Sequence, residues 1–71
     1  MEDMEYNAEL FNEFVGKTWG TDVTENILRK KGQFNSVRVI GPDDMVTMDY
    51  QQSRLNVNVD EKRVILSFNF S

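Results

Sequence analysis

The chain has 71 residues, no cysteine, no histidine and a formal net charge of −4. That length allows a single domain near the lower limit at which one core holds a chain folded, and the missing residue types exclude disulfides and the two commonest zinc ligands. The acidic balance argues against a nucleic-acid partner, and no apolar run approaches the roughly 20 residues of a membrane span.

Hydrophobic residues make up 39% of the chain and include one Trp, five Phe and two Tyr, enough for a compact core. The absence of cysteine fits a reducing compartment, although disulfide-free domains are also secreted. Met1-Glu2-Asp3 is the reverse of a basic signal-peptide start. Glu2, Asp3, Glu5, Glu9 and Glu13 meet no basic residue over the first 13 positions, whereas the remainder holds 8 basic against 7 acidic residues. A solvated acidic helix face accounts for that run.

Met4, Ala8, Phe11 and Val15 recur at helical spacing, widened by Leu10 and Phe14, and predict a helix over residues 7–15 that Gly16 ends in a left-handed conformation. Residues 1–6 are expected to fray. After the connector Lys17-Thr18-Trp19-Gly20, Thr21 or Asp22 is expected to cap a second helix, with Asp22 and Glu25 at capping-box spacing. Val23, Ile27 and Leu28 form its apolar face; Arg29, Lys30 and Lys31 occupy the last turn, where cations suit the dipole, before Gly32.

Val37-Arg38-Val39-Ile40 reads as a short strand. From Ser53 to Val59 the alternation is strict, with Leu55, Val57 and Val59 inward and Arg54, Asn56 and Asn58 outward. Asp60-Glu61-Lys62-Arg63 suits a hairpin turn, after which Val64, Leu66, Phe68 and Phe70 alternate again. The order helix, helix, strand, loop, strand, strand predicts a single α+β domain over residues 1–71.

Catalytic chemistry finds no purchase here. Acyl transfer by serine or cysteine needs a base that titrates near neutrality, most often histidine, and the chain has neither histidine nor thiol. Asp43-Asp44 lacks the alternating oxygen ligands of a calcium loop, so turn formation is their expected use. No glycine-rich phosphate loop occurs. No catalytic, metal-binding or cofactor-binding residue is assigned.

Binding therefore rests on residues 41–52, Gly41-Pro42-Asp43-Asp44-Met45-Val46-Thr47-Met48-Asp49-Tyr50-Gln51-Gln52, a turn signal running into an apolar extended segment. Val46, Met48 and Tyr50 alternate, so the pattern suits a buried strand of a four-stranded sheet. On pattern alone the buried strand is favoured over a presented segment, although periodicity does not distinguish a buried Met48 from a presented one.

Val46-Thr47-Met48-Asp49-Tyr50, followed by Arg54-Leu55-Asn56-Val57 and then Val59-Asp60, resembles the potato inhibitor I group of serine protease inhibitors. The Arg-Leu-Asn-Val form, with Val37-Arg38-Val39-Ile40 ahead of it, is more similar to the fungal and bacterial elastase-inhibitor branch. Upstream, Phe11-x-x-Phe14-Val15-Gly16-Lys17-Thr18 is similar to the group's Trp-Pro-Glu-Leu-Val-Gly-Lys-Ser, and the ordered match spans about residues 11–66.

The resemblance implies one main helix plus a short N-terminal helix on a small mixed sheet, with an extended protease-binding loop bridging two parallel strands. It implies that Met45, Val46, Thr47, Met48, Asp49, Tyr50 and Gln51 form that loop, that Met48 enters the protease's specificity pocket and that Met48–Asp49 is the scissile bond. Arg54 and Asn56 are the expected loop supports. The implied partner is a chymotrypsin-, elastase- or subtilisin-like serine protease, and the implied setting is secreted or periplasmic. Three departures stand out: Asn56 occupies a position where plant and leech members often carry a second arginine, the cysteine pair of many fungal and bacterial relatives is absent, and the acidic N-terminal helix is longer than the plant pattern suggests. The alternative function is a non-inhibitory protein–protein interaction module using the sheet or the acidic helix.

Overall fold

The computed structural model describes residues 6–44 and 51–70; the expectations for residues 1–5, 45–50 and 71 lie outside them. Two short helices, a 3-10 helix at Ala8–Phe14 and α1 at Glu25–Lys31, precede the strands β1 (Ser36–Ile40), β2 (Arg54–Val59) and β3 (Ile65–Phe70). The sheet order is β1-β2-β3. Strands β1 and β2 run parallel, whereas β2 and β3 are antiparallel. The α+β class is as expected. Each helix is seven residues long, the first a 3-10 helix and the second the α-helix.

The first helix winds more tightly than its sequence predicts. Asn7 caps it, its side chain accepting from the Glu9 N–H at 3.0 Å, and Leu10 N–H donates to the Asn7 carbonyl three residues back. With three residues per turn, side chains at i and i+3 eclipse. Phe11 is fully buried, and Ala8 and Phe14 pack against the core, while Leu10 and Val15 are exposed. The expected stripe of period 3.6 thus gives way to one of period 3. Gly16 follows in the left-handed region at φ 93°, as expected.

The expected cap on the second helix does not form. The Asp22 carboxylate accepts from Thr18 N–H at 3.3 Å, closing a turn over residues 18–23, and Val23 is buried ahead of the helix rather than on it. Helix α1 begins behind Thr24, which makes no side-chain capping bond. Glu25 pairs instead with Arg29 at 2.7 Å, one helical turn on. Lys31 reaches Glu13 at 3.2 Å and so ties the two helices.

The core is Phe11, Val23, Leu28, Phe34, Leu55, Val57, Val59, Ile65 and Phe68. Phe11 lies at its centre, its ring 5.6 Å from that of Phe68 and 6.1 Å from that of Phe34. A Cβ at Gly32 would sit 2.7 Å from the Phe11 ring and 3.3 Å from Leu10. Gly32 is extended, at φ −157°, so alanine meets no backbone objection there. Gly32→Ala is accordingly expected to destabilise by about 1–3 kcal/mol through overpacking, against the small gain usual where alanine fits. The urea midpoint measures the sign.

The hairpin is organised by Asp60, whose Oδ1 accepts from the N–H groups of Lys62 at 2.8 Å and Val64 at 2.9 Å. Arg63 takes a positive φ of 69° to close the turn. Strand β3 departs from the predicted alternation. Val59 pairs with Ile65 while Asn58 pairs with Ser67, so Leu66 is an extra residue in a bulge. Ile65 enters the core at 1% exposure and Leu66 stands out at 56%; beyond the bulge Phe68 is buried as expected. Among the described residues no helix is long and apolar enough to cross a membrane.

Candidate functional site

The chain between β1 and β2 is the candidate site. Ser36 pairs with Arg54 and Ile40 with Asn58, so residue 41 leaves from one end of the sheet and residue 53 enters at the other. The connection must return along the strand, roughly 13 Å for five residues at the usual rise. Its two ends are described, and each is built differently.

At the leading end the Asp44 carboxylate accepts from Gly41 N–H at 2.8 Å, and Asp44 N–H donates to the Gly41 carbonyl at 3.3 Å. The Asp43-Asp44 pair thus supplies turn chemistry, as its composition suggests. This end and the β2–β3 hairpin border an open groove of about 500 Å3 whose rim carries Asp43, Asp44, Asp60, Glu61 and Arg63. Among the described residues no group of three potential metal ligands forms.

At the trailing end Arg54 N–H donates to the Gln51 carbonyl at 3.0 Å, closing a turn. Ser53 is held from across the chain: its carbonyl accepts from Asn35 N–H at 2.9 Å and its Oγ from Asn35 Nδ2 at 3.1 Å. Asn35 follows Phe34, a core residue whose ring lies 4.5 Å from the Arg29 guanidinium and whose carbonyl accepts from Arg29 Nη1 at 3.3 Å. The Asn35 side chain was invisible to periodicity. Its only sequence signal is an Asn-Ser pair at a strand boundary.

Of the predicted site residues, Met45, Val46, Thr47, Met48, Asp49 and Tyr50 lie outside the described residues, as does the strand suggested over 46–50; Gln51 is described and exposed. Alternation turns Arg54 and Asn56 away from the helices, as predicted, and they are only 6% and 2% exposed. Both residues have interaction partners, although the Asn56 Oδ1 is itself buried with no hydrogen-bond partner among the described residues. Their face of the sheet continues as a polar ladder, in which Asn58 Nδ2 donates to Ser67 Oγ at 3.1 Å and to Asn69 Oδ1 at 2.8 Å. The trailing base of the connection is therefore hydrogen-bonded and carries a buried cation.

Comparison with known proteins finds peptidase inhibitors rather than enzymes. The profile of the Peptidase inhibitor I78 family matches residues 6–69. The elastase inhibitor AFLEI of Aspergillus flavus is 44% identical over 55 residues, 78% of this chain and 74% of that one. The elastase inhibitor AFUEI of Aspergillus fumigatus is likewise 44% identical over 55 residues, but the match spans only 58% of its length. A crystal structure of elastase inhibitor AFUEI superposes with a TM-score of 0.71 at 34% identity, covering 90% of this chain and 88% of that one. The matching family is thus I78 and not the potato inhibitor I group that the loop sequence resembles, while the elastase-inhibitor likeness agrees with the relatives found.

Proposed function

This chain belongs to the peptidase inhibitor I78 family, and from that premise we propose that it is a reversible, substrate-like inhibitor of serine endopeptidases that offers Met48–Asp49 as its scissile bond. The names of its relatives favour an elastase-type target, and an unbranched apolar Met48 also suits chymotrypsin- and subtilisin-type pockets. The loop's likeness to the potato inhibitor I group is part of the same proposal.

In this reading the target's serine attacks the Met48 carbonyl and the oxyanion hole holds the tetrahedral state. A substrate would then lose its leaving amine. Here the Asp49 amine stays tethered at high effective concentration, and resynthesis competes with hydrolysis. A loop already shaped for the cleft also binds without the cost of ordering it.

The observation that carries the reading is Arg54, a cation 6% exposed on the sheet face turned from the core, at the trailing base of the connection. A buried guanidinium with a rigid fork of donors is suited to bracing loop carbonyls or the Asp49 carboxylate. Arg54→Ala is expected to leave a folded protein whose Met48–Asp49 bond is hydrolysed at least about tenfold faster, the loss of a charge-assisted bond of about 1.5–3 kcal/mol. Titration of the wild type against chymotrypsin, subtilisin and elastase, with chromatography of the cut form, tests both statements. A folded wild type that inhibits none of them would leave the interaction module as the better reading.

A further inference from the structure

We propose that Asn35 is a positioning residue that keeps the leaving-amine half of the cut loop in place for resynthesis. This rests on the inhibitor reading above and adds a second element to it, the connector between α1 and β1.

Cleavage at Met48–Asp49 would divide the connection into two arms. The arm ending in Met48 is held by the protease itself, through the ester formed between its serine and the Met48 carbonyl. The arm beginning at Asp49 has no such bond, so only the inhibitor's own scaffold keeps its amine within reach of that ester. The amine attacks the ester carbonyl, the serine oxygen leaves with a proton, and the peptide bond is restored. Water attacking the same carbonyl gives the hydrolysed product.

The described contacts match this asymmetry. At the leading end, the Gly41–Asp44 hydrogen bonds are internal to the turn. At the trailing end Asn35 grips Ser53 twice, through the Ser53 carbonyl at 2.9 Å and the Ser53 Oγ at 3.1 Å. The Gln51–Arg54 turn then carries that fixed point back to Gln51. Asn35 is itself held by Phe34, which is 5% exposed in the core and bonded to Arg29. The Arg54–Gln51 bond and the Asn35 N–H bond to the Ser53 carbonyl are backbone contacts, so losing the side-chain bond loosens the stretch between Gln51 and β2 without releasing it. Full release would lengthen the free arm from residues 49–50 to residues 49–53, and at a −3/2 power of tether length that sets about fourfold as the upper bound on the loss of effective concentration.

The test uses the full chain with Asn35→Ala, Ser53→Ala, the double variant and Ser53→Thr, which keeps an Oγ. Each is incubated with catalytic amounts of a chymotrypsin- or elastase-type enzyme that the wild type inhibits. The ratio of cut to intact chain is followed to equilibrium from both directions, alongside thermal unfolding. The cut fraction should rise about twofold, and by no more than about fourfold, in each alanine variant, which loses the side-chain bond and keeps the backbone one, by no more in the double variant than in either single one, and not in Ser53→Thr. A Tm change without a change in that ratio assigns the clasp to folding alone and overturns the inference. So does an unchanged ratio in both single variants while the wild type inhibits. A wild type that inhibits no such enzyme overturns the inhibitor reading and this inference together.

Discussion

Met48→Lys is expected to move inhibition from chymotrypsin-, elastase- and subtilisin-like enzymes to a trypsin-like one, with the fold unchanged. An apolar specificity pocket offers an ammonium group neither water nor a counter-charge, and an unpaired buried charge costs on the order of 3–5 kcal/mol. At 1.4 kcal/mol per decade, affinity for those enzymes should fall about a hundredfold to a few thousandfold. The trypsin pocket holds a buried carboxylate that takes the same group favourably. Paired inhibition constants for the two enzyme types read the exchange. Undiminished potency against the chymotrypsin type would place the principal contact somewhere other than Met48.

Phe11→Ala should bring the domain close to unfolding. Phe11 is fully buried, touches the Phe34 and Phe68 rings and closes under Gly32. Removing such a ring costs about 3–5 kcal/mol. Domains as a class have about 5–15 kcal/mol in total, with small ones near the bottom of that range, and no disulfide is available to offset the loss. At about 4–8 °C per kcal/mol, Tm should drop by some tens of degrees. Leu10→Ala is the matched control: the adjacent apolar residue of the same helix is 41% exposed and should change stability by about 0.5 kcal/mol or less. Thermal melts of the two variants separate a helix of period 3 from one of period 3.6, because the longer period would bury Leu10 more and distinguish the pair less.

Inhibition should follow the same order, for a reason tied to the site. The connection's trailing base hangs on Asn35 and Arg54. The first of these is fixed through Phe34, which packs edge-on against Phe11. Loss of the Phe11 ring therefore loosens the clasp before it unfolds the chain, and cleavage at Met48–Asp49 should accelerate in conditions where circular dichroism is still native.

The sequence by itself determined what depends on neighbours in the chain. Strict alternation over residues 53–59 made β2 legible, glycine at 16 and 32 stopped the helices, and the polar run 60–63 made the hairpin. An ordered set of motifs was enough to recognise a protease-inhibitor and elastase-inhibitor likeness, while the I78 family came from comparison of the whole chain. Other features were decided only in three dimensions. Whether Leu10 or Phe14 faces inward depended on a helix pitch chosen by the sheet it packs on. Leu66 was expelled and Ile65 admitted because one extra residue in β3 reverses the inward and outward order of side chains. Asp22 capped a turn behind it rather than a helix ahead, and the Asn35–Ser53 clasp joins residues 18 positions apart. Arg54 reads as a solvated strand arginine in any local window, yet it is 6% exposed in the fold. Period and propensity are local quantities, whereas burial and register are set by what packs on the far side; that is why the strand was visible in the sequence and the trailing base of the β1–β2 connection was not.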